Sequence, residues 1–491
     1  MYRYLSLLLI PFIFSCAASK HYNPNKKYPS EELQQDFTLL RNVLEEKHPT
    51  LYWYTSKDSM DYLFNHGFQS ISDSMTELQF GWEVLAPVLG GIRCGHTGFG
   101  MSKDWNRFIK DRQIPSFPFF LKVWKDTMMV IGNLNRNDTM IKRGDFVHAI
   151  NGVSSKEIIA KMFSYMIKDG YADNVNYIRL SNNFPYFHRN IFGLFQNYSV
   201  NYSDSNGIFK NQVVSYYFPK SDTNSAKIQI ETRKEITPTR QQKLEQIRSL
   251  KIDSLYAVMT INSFSKGKLR TFFRRSFKEI RKKNIQQLII DIRQNGGGEI
   301  KNYVLLTKYL RNTPFKVADS AYSVAKNFSP FTKKVSNGFF NNISLIFLSK
   351  KEKDKMYHFG YWEKKEFSPK RRNHFDGKTY LLTDGLTFSA AALFSNALKG
   401  QNNVTLVGEE TGGGQYGNSG IIIPTLTLPQ THLRVRLPFF KLVQFQHGEK
   451  NGQGVLPDIE VNTNWRDVLN RVDTKMETVK KLIKENVVTN Y

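Results

Sequence analysis

The stretch that most restricts the fold is Leu288-Ile289-Ile290-Asp291-Ile292-Arg293-Gln294-Asn295-Gly296-Gly297-Gly298, a buried strand that ends in three consecutive glycines. It lies in an alternation that begins after Gln241: a strand from Tyr256 to Ile261, a helix from Lys268 to Lys283 and a strand from Gln287 to Ile292. Later come strands from Ile343 to Leu348 and from Thr379 to Leu382, a helix from Ser389 to Leu398, and a strand from Val404 to Gly408. Strands alternating with helices imply a mostly parallel sheet, with functional loops at the strand ends. The fold class expected is therefore α/β and multi-domain.

Upstream, the pattern differs. Helical stretches run from Ser30 (stripe Phe37, Leu40, Val43, Leu44), from Ser56 to Ser70 and from Thr76 to Val88. They lead to Gly90-Gly91-Ile92-Arg93-Cys94-Gly95-His96-Thr97, where the glycines mark a tight turn. Short strands follow at Phe119 to Trp124, Met128 to Ile131 and Phe146 to Ile150, with turns at Gly144-Asp145 and Asn151-Gly152 and a helix from Ser154 to Met166. That order resembles a PDZ-like module. Residues 170 to 245 support no functional statement.

The first sixteen residues, MYRYLSLLLIPFIFSC, place Arg3 before an apolar run from Leu5 to Phe14. The run is shorter than the roughly 20 residues of a spanning helix and reads as an export signal. Its end, Ile13-Phe14-Ser15-Cys16, resembles a bacterial lipobox, which implies lipidation at Cys16 and a chain anchored to a membrane on its periplasmic or cell-surface face. Only Cys94 then remains, so no internal disulfide forms. The formal net charge of +26 comes from scattered Lys and Arg, with no basic block interleaved with stacking aromatics, and no nucleic-acid partner is expected.

Two places can carry chemistry. In Leu382-Thr383-Asp384-Gly385-Leu386-Thr387-Phe388-Ser389-Ala390-Ala391-Ala392 a strand enters a polar turn and a serine opens a helix. The hydroxyl is thereby offered beside backbone amides, a geometry suited to acyl transfer, although helix capping is the commonest job of such a serine. The glycine triplet leaves backbone amides unshielded, as an oxyanion site requires.

Four motifs in order then resemble peptidase family S41, which includes the C-terminal processing proteases, the tricorn protease core and retinol-binding repeats. They are Asp291-Ile-Arg-Gln-Asn-Gly-Gly-Gly, Thr387-Phe-Ser-Ala-Ala, Val407-Gly-Glu-Glu-Thr-Gly-Gly-Gly and Gly454-Val-Leu-Pro-Asp-Ile-Glu-Val. The resemblance implies a ClpP/crotonase-like core with Ser389 as nucleophile, and the amides of Ala390 and of Gly296 or Gly297 as oxyanion donors. Processing proteases use a Ser-Lys dyad, but the corresponding position is Gly414, and no lysine lies between Gly400 and Lys441. The tricorn-like branch uses an upstream histidine, which implies His96 as base; a serine precedes the histidine there and Gly95 does here. Glu449 is the nearest candidate for the orienting carboxylate, with Glu409 and Glu410 as alternatives and His447 as a lesser rival base.

The expected organisation is a signal peptide at 1–16, a tether at 17–29, an N-terminal helical domain at 30–105 and a PDZ-like module at 106–168. A protease core with its connecting region follows at 169–475, and a tail at 476–491. The expected activity is serine endopeptidase action on exported proteins or peptides, with no cofactor and no metal. The alternative is an inactive peptide- or lipophilic-ligand-binding lipoprotein on the same fold.

Overall fold

The computed structural model describes residues 22–110, 112–136, 138–219 and 238–488. The expected signal peptide, with Cys16, lies outside the described residues. At the centre is a six-stranded sheet in the order Arg248–Ile252, Ala257–Ile261, Gln287–Asp291, Lys378–Thr383, Val404–Gly408, Ile459–Glu460. Its first pair is antiparallel and all later pairs are parallel.

The unbroken apolar run at 288–290 follows from this placement. Side chains alternate across a strand, and a sheet covered on both sides needs apolar residues on both. Leu288 and Ile290 enter the large core shared with the helices Leu269–Lys282, Ile300–Leu310 and Ala390–Leu398. Ile289, with Tyr380, Leu382 and Val407, faces the opposite side, where Val479 and Ile483 cover it. Those two residues belong to the helix Thr474–Val488. The segment expected as a tail therefore begins as part of the core layer, because Val479 and Ile483 of this helix close one face of the sheet.

A second, antiparallel sheet orders Lys350–Lys351, Tyr357–His358, Ala318–Ser323, Phe440–Gln444 and Gly417–Gly420. Between its strands lies a further departure from the sequence reading. The expected strand from Ile343 to Leu348 is the end of a helix, Gly338–Leu348. A short apolar run is compatible with either state, and here Asn337 enters the helix at φ 53° and Leu345 anchors it in the core.

The N-terminal helices form much as expected at Ser30–Lys47 and Lys57–Gln69, the second capped by the Ser56 side chain. The third begins with a capping box at Thr76 and passes through a π-helical stretch, Phe80–Leu85, before ending at Gly91. The β-rich module is larger than its expected limit at 168. Phe119–Val123, Met128–Asn133 and Phe146–Ile150 are joined by Asn197–Ser203 and Phe209–Ser215 in one antiparallel sheet, and the helix Asn174–Phe192 helps to fill its core. The aromatic-rich segment after 170 thus completes this module, its Phe184, Tyr198 and Tyr202 being core residues.

Candidate active site

Ser389 stands where the strand Lys378–Thr383 passes through a turn into the helix Ala390–Leu398. The turn is bonded directly to the glycine loop: Thr387 Oγ1 donates to the Ile292 carbonyl at 3.1 Å, and the Phe388 amide donates to the Asn295 carbonyl at 3.0 Å. Ser389 itself has φ 53° and ψ −123°, a conformation that costs a non-glycine residue about 1–3 kcal/mol. An ordinary capping serine is extended and bonds a first-turn amide. Ser389 makes no such bond, and its Oγ lies 3.0 Å from His96 Nε2.

His96 is brought there from 293 residues upstream, held on several sides. The Gly95 amide donates to Asp169 Oδ1 at 2.7 Å, and Thr97 Oγ1 pairs with His48 Nε2 at 2.7 Å. The strand Gly98–Gly100 that follows pairs with Arg434–Arg436, with Phe99 opposite Val435. The imidazole lies against the Phe388 ring, centroids 4.7 Å apart. A Cβ at residue 95 would come within 2.6 Å of that ring, so any residue but glycine before the histidine displaces the ring.

Burial drives the His96 pKa down to about 3, and the positive charges of Arg436 and Arg179 push the same way. The ring is therefore neutral near pH 7 and free to accept a proton. Its Nδ1 is buried without a hydrogen-bond partner among the described residues.

Beside it is a residue that the sequence reading passed over. Asp169, in the loop between the helices Ser155–Ser164 and Asn174–Phe192, has a carboxylate oxygen within 4.8 Å of a ring nitrogen of His96. Its Oδ2 is buried and meets no hydrogen-bond partner at bonding geometry among the described residues. Burial raises its pKa to about 7, against the amides of Gly95 and Gly414 and the charge of Arg179, which favour the carboxylate. No motif marks this aspartate; only the close packing of its loop on the Gly95 turn reveals it.

Cys94 Sγ shares the same 4.8 Å cluster, so three donors converge where a cation could be held. The thiol, however, lies 2.8 Å from Ser419 Oγ and burial pushes its pKa up, away from the thiolate that a metal binds. This thiol is a buried packing group in hydrogen-bond contact.

Of the two glycines left open by the sequence, Gly297 at φ +97° presses on the nucleophile: a Cβ there would meet Ser389 Cβ at 2.6 Å and the Ala390 nitrogen at 2.9 Å. Its amide already donates to Asn295 Oδ1 at 2.9 Å, and Asn295 Nδ2 is fixed on the Ile261 carbonyl at 3.1 Å. Among the described residues Gly296 has no such bond. Ala390 opens its helix, where an amide has no intrahelical acceptor.

Glu449 is not brought to His96. It is exposed in the loop after Phe440–Gln444, where its carbonyl accepts from the Asn451 amide. Glu409 is paired with Lys475 at 2.7 Å, and Glu410 accepts from the Gly454 amide at 2.6 Å. His447 is exposed and 3.3 Å from Asp319.

Residues 256–461 match the sequence model of Peptidase family S41. The match spans the parallel part of the core sheet and the serine turn and makes this part of the chain a serine-peptidase domain of that family. Among solved structures, mature CPAF complexed with lactacystin aligns over 93% of this chain and 98% of its own, at 14% identity and TM-score 0.63. Mature CPAF alone aligns over 93% and 97%, at 15% identity and TM-score 0.62. These likenesses are of fold. A putative peptidase from Parabacteroides merdae aligns over 92% of this chain and 96% of its own, at 14% identity and TM-score 0.46. No curated protein matches the chain.

Proposed function

We propose that the chain hydrolyses exported proteins or peptides through an acyl-enzyme, with Ser389 as nucleophile and His96 as general base. The observation that carries this reading is the 3.0 Å contact between Ser389 Oγ and His96 Nε2, made by a serine whose strained backbone diverts its hydroxyl from helix capping. A neutral imidazole takes the hydroxyl proton as Oγ attacks the carbonyl carbon. It then returns that proton to the leaving amine, and water repeats the cycle on the ester. The amides of Ala390 and Gly296 are the donors suited to the developing oxyanion, Gly297 serving as the close-packed backbone beside it.

Asp169 takes the orienting role first sought in Glu449. An imidazolium formed at a site that burial makes hostile to charge needs a counter-charge, and Asp169 is the buried carboxylate beside it. Catalytic contacts commonly tighten only when substrate is bound. The β-rich module is suited to present a substrate terminus by strand addition, and a lipid on Cys16 would keep the enzyme at a membrane.

The test is labelling of the purified protein by a fluorophosphonate probe, with Ser389→Ala and His96→Ala alongside. Labelling of the wild type that disappears in both variants supports the reading. A folded wild type that is neither labelled nor active on any peptide substrate would favour the ligand-binding alternative.

A further inference from the structure

The helix Gly338–Leu348, GFFNNISLIFL, is turned inside out for a solvated surface. Phe347 is 82% exposed, Phe340 71%, Phe339 67% and Ile346 63%, and Ile343 is exposed too. At 100° per residue these five occupy a single face about 120° wide. The opposite side faces the protein: Leu345 is buried, Asn342 Oδ1 accepts from the Phe328 amide at 2.9 Å, and Asn342 Nδ2 donates to Thr332 Oγ1 at 3.0 Å. An apolar face of this kind on a finished surface marks an interaction site.

Charge decides what covers it. Exposed lysines stand at both ends, Lys333 and Lys334 before the helix and Lys350, Lys351, Lys353 and Lys355 after it, against Glu352 and Asp354. A second copy would bring the same cationic rim against this one, whereas an anionic bilayer complements it, Phe and Ile entering the acyl boundary while lysines reach the headgroups. The position also suits an anchored chain. The helix Ser30–Lys47 ends beside this region, Lys47 Nζ donating to the Ser329 carbonyl at 2.8 Å. That helix is about 27 Å long, and the stretch from Cys16 to Ser30 can reach up to about 50 Å.

We propose that the helix Gly338–Leu348 is a membrane-docking surface that lies in the headgroup region of an anionic bilayer. The proposal shares its membrane setting with the proposed lipid at Cys16 but requires no lipid on the chain.

The experiment is co-sedimentation of the mature chain from residue 17, unlipidated, with phosphatidylcholine vesicles containing or lacking phosphatidylglycerol. Binding is expected to the anionic vesicles, falling more than tenfold for Phe340→Glu/Phe347→Glu and falling with added salt. Lys350→Ala/Lys351→Ala should weaken anionic-vesicle binding severalfold. Circular dichroism and a thermal melt equal to wild type show that these variants are folded, so vesicle binding is read whether or not the chain is an active peptidase. Two outcomes overturn the proposal: wild type left in the supernatant with both vesicle types, or a stable dimer that the phenylalanine variants dissociate while vesicle binding is absent.

Discussion

Replacing Asp169 with asparagine separates its effect on stability from its effect on catalysis, because the two have opposite signs. The carboxyl has its pKa raised from 3.8 to about 7 by burial, so the folded protein holds a proton there that the unfolded chain releases. A folded state that binds more protons loses stability as pH rises, here through the window from about 4 to 7. Above that window the ionised group costs up to about 4 kcal/mol, some three pKa units at about 1.4 kcal/mol each. Asp169→Asn removes the cost, so its stability at pH 8 should exceed that of wild type by up to about 4 kcal/mol and show no such gain at pH 4. Urea unfolding at the two pH values measures this. Activity should move the other way. Asparagine can offer its amide hydrogen to His96 Nδ1 and fix the wrong tautomer, with a loss of kcat on the order of 10³ to 10⁴. If the ionised form orients the imidazole, wild-type kcat/KM rises with pH below about 7, and this limb disappears in the variant. A variant with wild-type kcat and an unchanged acid limb would refute the assignment of Asp169.

Other outcomes follow from the same geometry. Glu449→Gln should keep kcat/KM within about threefold of wild type in a peptide-hydrolysis assay, since that side chain is exposed to solvent. Ser389→Gly should abolish fluorophosphonate labelling yet raise the melting temperature, because relief of about 1–3 kcal/mol of backbone strain exceeds the 0.5–1 kcal/mol entropy cost of glycine. Gly95→Ser forces a Cβ to within 2.6 Å of the Phe388 ring; about 1–3 kcal/mol of destabilisation by thermal melting is expected, with a severalfold or greater fall in kcat. His48 is fully buried with its pKa lowered to about 3 by desolvation, so the unfolded chain binds the extra proton and stability falls as pH drops from about 6.5 towards 3. His48→Gln should reduce that acid slope by close to one proton, read from urea midpoints between pH 4 and 7.

Much of the core was open to inspection in the sequence. The strands around 257–261, 287–291, 378–383 and 404–408 announce themselves because they alternate with helical stretches and are closely bounded by turn residues, and the serine turn and glycine loop sit at strand ends, where backbone amides are available. Less legible was anything that depends on the far side of an element. The run from 343 to 348 has the composition of a strand, and only its seating on Leu345 and its entry at Asn337 make it a helix. The true end of the β-rich module is not legible, because the strands that finish it follow a long helix and strand partners distant in sequence leave no local mark.

The sequence by itself determined the chemistry available: a serine at a helix start, three glycines after a buried strand, a histidine in a glycine turn and no lysine between Gly400 and Lys441. Those are choices of residue type, and residue type is what sequence records. The tertiary structure decided which groups meet. It brought His96 to Ser389, committed the Gly297 amide to Asn295, left Glu449 in solvent and set Asp169 beside the imidazole. Pairing across hundreds of residues depends on how the N-terminal turn, the loop at 169 and the core sheet pack, and on the low dielectric their packing creates, neither of which is written at any one position.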